Sequence, residues 1–97
     1  MAVKIICINK DRGNHQNPHE GITHFGWINE QTRAAGKSTR AEMVQFLTQQ
    51  GGQAYVRDAR GNVAYVGVAT NNHRLPFLRT HADGKWTDNL LSLGECR

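Results

Sequence analysis

An α+β fold is predicted, with a twisted, mostly antiparallel sheet of about five strands and one helix on one face, in the order ββαβββ. Three observations predict it. Apolar or alternating stretches typical of strands occupy residues 2–8, 22–28, 53–58, 62–70 and 75–81. A single stretch, about 40–50, has helical spacing instead. The last three strand segments are joined by short loops, which makes them an antiparallel meander.

Residues 2–8 are apolar and β-branched, ending at Asn9. They read as a central strand, with Ile5 and Cys7 on one face and Ile6 and Ile8 on the other. Residues 9–20, rich in Asn, Asp, Gly and Pro, read as a polar loop. In the second strand, Ile22, His24, Gly26 and Ile28 share one face, and Thr23, Phe25 and Trp27 the other. Gly26 inside it points to a bulge or a close backbone approach. Residues 29–38 are polar and are expected to be a mobile connection.

Thr39 with Glu42 three residues on forms a capping-box pattern, and Met43, Val44, Phe46 and Leu47 supply the apolar stripe of a helix. Gly51-Gly52 ends it, with a glycine able to take the left-handed conformation. Between the third and fourth strands, Ala59-Arg60-Gly61 is a hairpin loop with the glycine at positive φ. Pro76 sits near the start of the fifth strand, where a missing donor is tolerated. After a turn at 82–85, Thr87 or Asp88 caps a final helical turn that offers Leu90, Leu91 and Leu93 to the core. With Trp86, these leucines make the ending too apolar for a solvated tail.

Ninety-seven residues form one domain, 1–97. A chain of this size buries roughly 60–65% of the surface it exposes unfolded, enough for one modest core. Hydrophobic content of 38% and charged content of 21% exclude a disordered chain. No apolar run approaches the roughly 18 residues of a membrane span. The opening residues read as a strand and not a signal peptide, so a cytoplasmic location is expected. There, Cys7 and Cys96 are expected to be free thiols. A bridge between them stays open, because the sequence does not give their separation.

Three segments resemble a known family. They are Cys7-Ile8-Asn9-Lys10, His19-Glu20-Gly21-Ile22-Thr23-His24, and the ending from Thr80 to Cys96, above all Asp88-Asn89-Leu90-Leu91-Ser92-Leu93-Gly94-Glu95-Cys96. Together they are similar to the small bacterial proteins of the domain of unknown function 3892 family. The resemblance spans nearly the whole chain. It supports the fold and the site of the ending, and it implies no activity, since the family has none assigned.

Function must therefore be read from chemistry. The net charge is +4 and uneven: from 33 to 79 there are seven basic residues (Arg33, Lys37, Arg40, Arg57, Arg60, Arg74, Arg79) against Glu42 and Asp58. That excess favours polyanionic partners. Lys37, Ser38 and Arg40 lie at a helix start, where free N–H groups and the dipole favour an anion. Gly36-Lys37-Ser38 echoes the end of a phosphate loop, but no strand leads directly into it and the first glycine is missing. Tyr55 and Tyr65, with Arg57 on the same strand face as Tyr55, fit single-stranded nucleic acid, in which bases stack and cations follow the phosphates.

A metal site built from Cys7, Cys96, His15, His19, His24, His73 and His81 lacks paired ligands at fixed spacing. A thiol nucleophile is disfavoured because Cys7 sits in an apolar strand and Cys96 beside the end. The expectation is a non-enzymatic binding module without cofactor or metal. Its ligand is a nucleic acid or nucleotide, held by Lys37, Ser38, Arg40, Tyr55, Arg57, Arg60 and Arg74. The alternative is a protein-interaction or regulatory domain, a homodimer formed through a sheet edge.

Overall fold

The structure, a computed structural model, describes residues 2–11, 21–69, 76–82, 85–87 and 89–96. Seven strands form one sheet: β1 (Ala2–Lys10), β2 (Ile22–Ile28), β3 (Ala35–Thr39), β4 (Gln53–Arg57), β5 (Val63–Ala69), β6 (Phe77–Ala82) and β7 (Lys85–Thr87). Helix α1 (Arg40–Thr48) lies between β3 and β4, and a 3-10 turn (Asn89–Ser92) follows β7. The order across the sheet is β3-β2-β1-β4-β5-β6-β7. Two antiparallel meanders, β1-β2-β3 and β4 to β7, meet at the parallel pair β1/β4. Helix α1 makes the crossover that such a parallel connection requires. The α+β class and the central place of the first strand are as expected.

Two strands exceed the five expected. β3 occupies residues expected to be a mobile connection. It has no apolar alternation because its neighbour does the covering. The Trp27 indole lies over Gly36, where an added Cβ would sit 2.8 Å from the ring, and its Nε1 donates to Ser38 Oγ at 3.0 Å. The β2–β3 turn is also ordered. Asn29, buried, accepts from the backbone N–H groups of Gln31 and Thr32 on its side-chain oxygen (2.9 and 3.2 Å). β7 is three residues long and pairs with β6, where only a turn was expected.

Bulges correct the face assignments in β1 and β2. Pairing steps from Ile5↔Trp27 to Cys7↔Gly26, so Ile6 is an extra residue on β1. Ile8 thereby joins Val3 and Ile5 in the core, and Ile6 turns out, 47% exposed. A second shift, from Asn9↔His24 to Lys10↔Ile22, makes Thr23 the extra residue and buries Ile22 beside Phe25.

The core gathers Val3, Ile5, Ile8, Ile22, Phe25, Met43, Val56, Val66, Leu78 and Leu90. Helix α1 contributes Met43, with Val44, Phe46 and Leu47 packed at its margin. The capping box is formed: Glu42 N donates to Thr39 Oγ1 (3.2 Å) and Thr39 N to Glu42 Oε1 (2.9 Å). Gly51 (φ 65°) follows the helix, and Gly61 (φ 86°) sits in the β4–β5 loop, both left-handed as the sequence predicts.

The ending is tied down on β1. Along β1, only Ala2–Lys4 pairs with β4. Farther along, Ile8 N donates to Gly94 O (3.0 Å) and Ile8 O accepts from Cys96 N (3.1 Å), a parallel bridge to Glu95. This brings the Cα atoms of Cys7 and Cys96 to 4.9 Å, and the two sulfurs are bonded. The free thiols expected are thus replaced by a disulfide. Its sequence separation of 89 corresponds, in the chain-entropy description, to about 4–5 kcal/mol of stabilisation.

Two substitutions test this packing by urea denaturation. Thr39→Ala should lower the unfolding free energy by about 1 kcal/mol, since it removes the acceptor of a helix N–H. Leu90→Ala should lower it by about 2–5 kcal/mol, since Leu90 is fully buried; a loss below 1 kcal/mol would show that the ending does not complete the core.

Candidate functional site

The sheet has a face covered by the helix and an outer face. On the outer face one row of register partners runs from β3 to β6: Ala35, Ile28, Lys4, Tyr55, Tyr65 and His81. Tyr55 and Tyr65 are directly opposite each other on β4 and β5, and His81 is opposite Tyr65 on β6. Tyr65 is 51% exposed, and Val63, also exposed, lies opposite Arg57 on the same face. Alternation produces this: Ala54, Val56, Ala64 and Val66 fill the buried positions, so the residues between them must face outward.

Glu30 gives the patch its local order. From the β2–β3 turn its carboxylate accepts hydrogen bonds from Arg57 Nη1, which lies 3.0 Å from each oxygen, and from the Tyr55 hydroxyl. The Arg57 guanidinium carbon also lies 5.5 Å from the centre of the Tyr55 ring. Hydrogen bonds from Tyr55 and then Arg57 hold the Glu30 carboxyl below its ordinary range. The Glu30 carboxylate in turn raises the Tyr55 phenol and the Arg57 guanidinium above theirs. Because Tyr55 is raised, its contribution is present below the unfolded phenol value and lost as pH rises through the folded one. Glu30 is lowered, so its contribution is present above the unfolded carboxyl value and lost as pH falls through the folded one.

The residues expected to bind an anion do not form one site. Tyr55 and Arg57 are together, with Arg57 engaged by Glu30. Arg60 is exposed on the loop of the same hairpin, which Asp58 organises by accepting from the backbone N–H groups of Arg60 and Asn62 (both 2.9 Å). Those bonds, the one from Asn62 foremost, lower the Asp58 carboxyl. Lys37 is on the outer face of β3, its Nζ 3.4 Å from Asn9 Oδ1. Ser38 turns the other way and is bound to Trp27. Arg40, with Val44 and Thr48, lines a cleft of about 560 Å³ facing Ile22, Thr23 and Pro76, on the helix side of the sheet. The helix start itself already holds the Glu42 carboxylate, lowered by its bond from the Thr39 backbone. Arg74 lies outside the described residues, as do His15, His19 and His73.

Sequence reasoning missed Lys4, His81 and Glu30. Lys4 and His81 join the row only through register, which no local pattern reveals. Glu30 could have been suspected as an acid near a turn, but not paired with Arg57, 27 residues away. Among the described residues no group of three or more His, Cys, Asp or Glu gathers as metal ligands, and no helix is long and apolar enough to cross a membrane.

Fold and site together define a small open-sheet α+β domain with an aromatic and cationic outer face. Residues 4–94 match the family model described as Protein of unknown function (DUF3892), and the chain belongs to that family. No curated protein and no solved structure matches it.

The Glu30 cluster has a spectroscopic test. In a Tyr65→Phe background Tyr55 is the one remaining phenol, since the chain has two tyrosines. Glu30→Gln should move its titration, followed by absorbance near the phenolate band, down toward the ordinary range. An unchanged midpoint would show that the carboxylate does not hold the phenol.

Proposed function

We propose that the protein is a non-catalytic binding module whose outer sheet face takes a phosphate-bearing polyanion, best matched by single-stranded nucleic acid. The observation that carries this reading is the register row of Lys4, Tyr55, Tyr65 and His81 on four adjacent strands, away from the helix. Adjacent strands are about 4.8 Å apart, so rings on neighbouring strands offer successive platforms. Bases stack on such rings for about 1–3 kcal/mol each without needing a particular sequence. Lys4 and Arg60 flank the rings, Lys37 lies toward the β3 edge, and the net charge of +4 adds attraction for a polyanion.

A second reading is favoured by a separate observation. Ile6 (47%), Val63 (38%) and Tyr65 (51%) are the exposed large hydrophobics among the described residues, and Val63 and Tyr65 lie opposite Arg57 and Tyr55 in register. Aromatic and arginine anchors with aliphatic neighbours are typical of protein interfaces. This reading shifts the protein contact from the sheet edge to the outer face.

Fluorescence anisotropy with a labelled single-stranded oligonucleotide separates the two. Binding should weaken roughly ten- to twenty-fold between 50 and 200 mM salt if about three phosphates are contacted. Tyr65→Ala should weaken it about 5- to 160-fold. Absence of binding at the lower salt would sink the nucleic-acid reading, and salt-insensitive self-association in sedimentation would support the second.

A further inference from the structure

The Cys7–Cys96 disulfide sits on the outer face beside Gly26, and three features of its setting bear on whether it is permanent. Both cysteines are partly exposed, so a reductant can reach them. Leu90, a fully buried residue of the ending, lies upstream of the bond. Among the described residues, the hydrogen bonds that hold residues 94–96 are two backbone bonds to Ile8 and one from Asn9 Nδ2 to Cys96 O (3.2 Å).

Gly26 supplies the direction of any movement. A Cβ added there would collide with both sulfurs, so the disulfide fills the space against the β2 backbone. Two thiols need more room than two bonded sulfurs, because non-bonded atoms repel inside van der Waals contact. Cys7 is fixed in β1, paired through Gly26 to β2. Cys96 is the partner able to retreat.

We propose that this disulfide is a reversible redox lock on the C-terminal segment. When it is reduced, residues 94–96 leave β1 and uncover the Ile8 N–H and C=O, while Leu90 keeps the core closed. The reductant is a dithiol, small or protein-borne. Its thiolate attacks one sulfur of the bond, and the other leaves as a thiolate and takes a proton. The second thiol of the reductant then closes its own disulfide and releases the first cysteine. The protein gains two electrons and two protons, and the dithiol is oxidised by the same amount. The inference does not depend on what the outer face binds.

Amide hydrogen exchange on the full chain, oxidised and then in excess dithiothreitol, tests it. On reduction, exchange at Ile8 and Cys96 should rise at least tenfold more than at Phe25 and at Leu93, whose N–H is bonded to Leu90 O; those two lose only the protection that goes with the overall stability the cross-link supplies. Equal protection at Ile8 in both states, or an equal loss of protection throughout, would overturn the proposal, the second by showing a staple the fold cannot lose. Gly26→Ala gives an independent readout. In a fixed dithiothreitol redox buffer its reduced fraction, counted by thiol alkylation, should exceed that of the wild type. The ratio of reduced to oxidised protein should rise at least tenfold; an unchanged ratio would contradict the crowding on which the lock depends.

Discussion

The extra residue at Ile6 sets the geometry on both sides of the central strand. Before it, Val3 and Ile5 point into the core; after it, Ile8 does so and Cys7 faces outward. Regular alternation would send Cys7 inward with Ile5 and turn Ile8 to solvent. The bulge thus places Ile8 beside Phe25 in one layer and the Cys7 sulfur against Gly26 in the other. The pairing of Ile8 with the ending, and the bond that secures it, are built on the same shift.

That shift also marks where sequence patterns stop being informative. The helix was legible because its cap is local: Thr39 and Glu42 interact with each other and with nothing distant. The β4–β5 hairpin was legible for the same reason, through Gly61 and its short loop. β3 was not, since its covering residue, Trp27, comes from the neighbouring strand and frees Gly36 and Ser38 from being apolar. The disulfide was not either, because it depends on the course of the ending along β1. In the candidate site, Tyr55 and Arg57 could be grouped from their two-residue spacing. Lys37, Ser38 and Arg40, within four residues of sequence, diverge because a strand alternates and then yields to a helix.

The outer face shows how an exposed cation can be committed in advance. Arg57 lies on an exposed face but meets Glu30 through one nitrogen set between both carboxylate oxygens, with the Tyr55 hydroxyl completing the set. Exposed pairs of this kind add little stability. Their effect is positional: the Tyr55 ring and the guanidinium are held over the central strands, beside Lys4, at the junction of the two meanders.

The bond between Cys7 and Cys96 has a further consequence for the chain as a covalent object. Oxidised, residues 7 to 96 form a closed ring of main chain and sulfur, and every described turn and the helix lie within it. A single peptide-bond cleavage anywhere inside opens that ring without producing two molecules. A nick in the β4–β5 loop would leave both pieces tethered, and tethered pieces find each other again far more readily than separate ones. Oxidised protein is therefore built to survive being clipped.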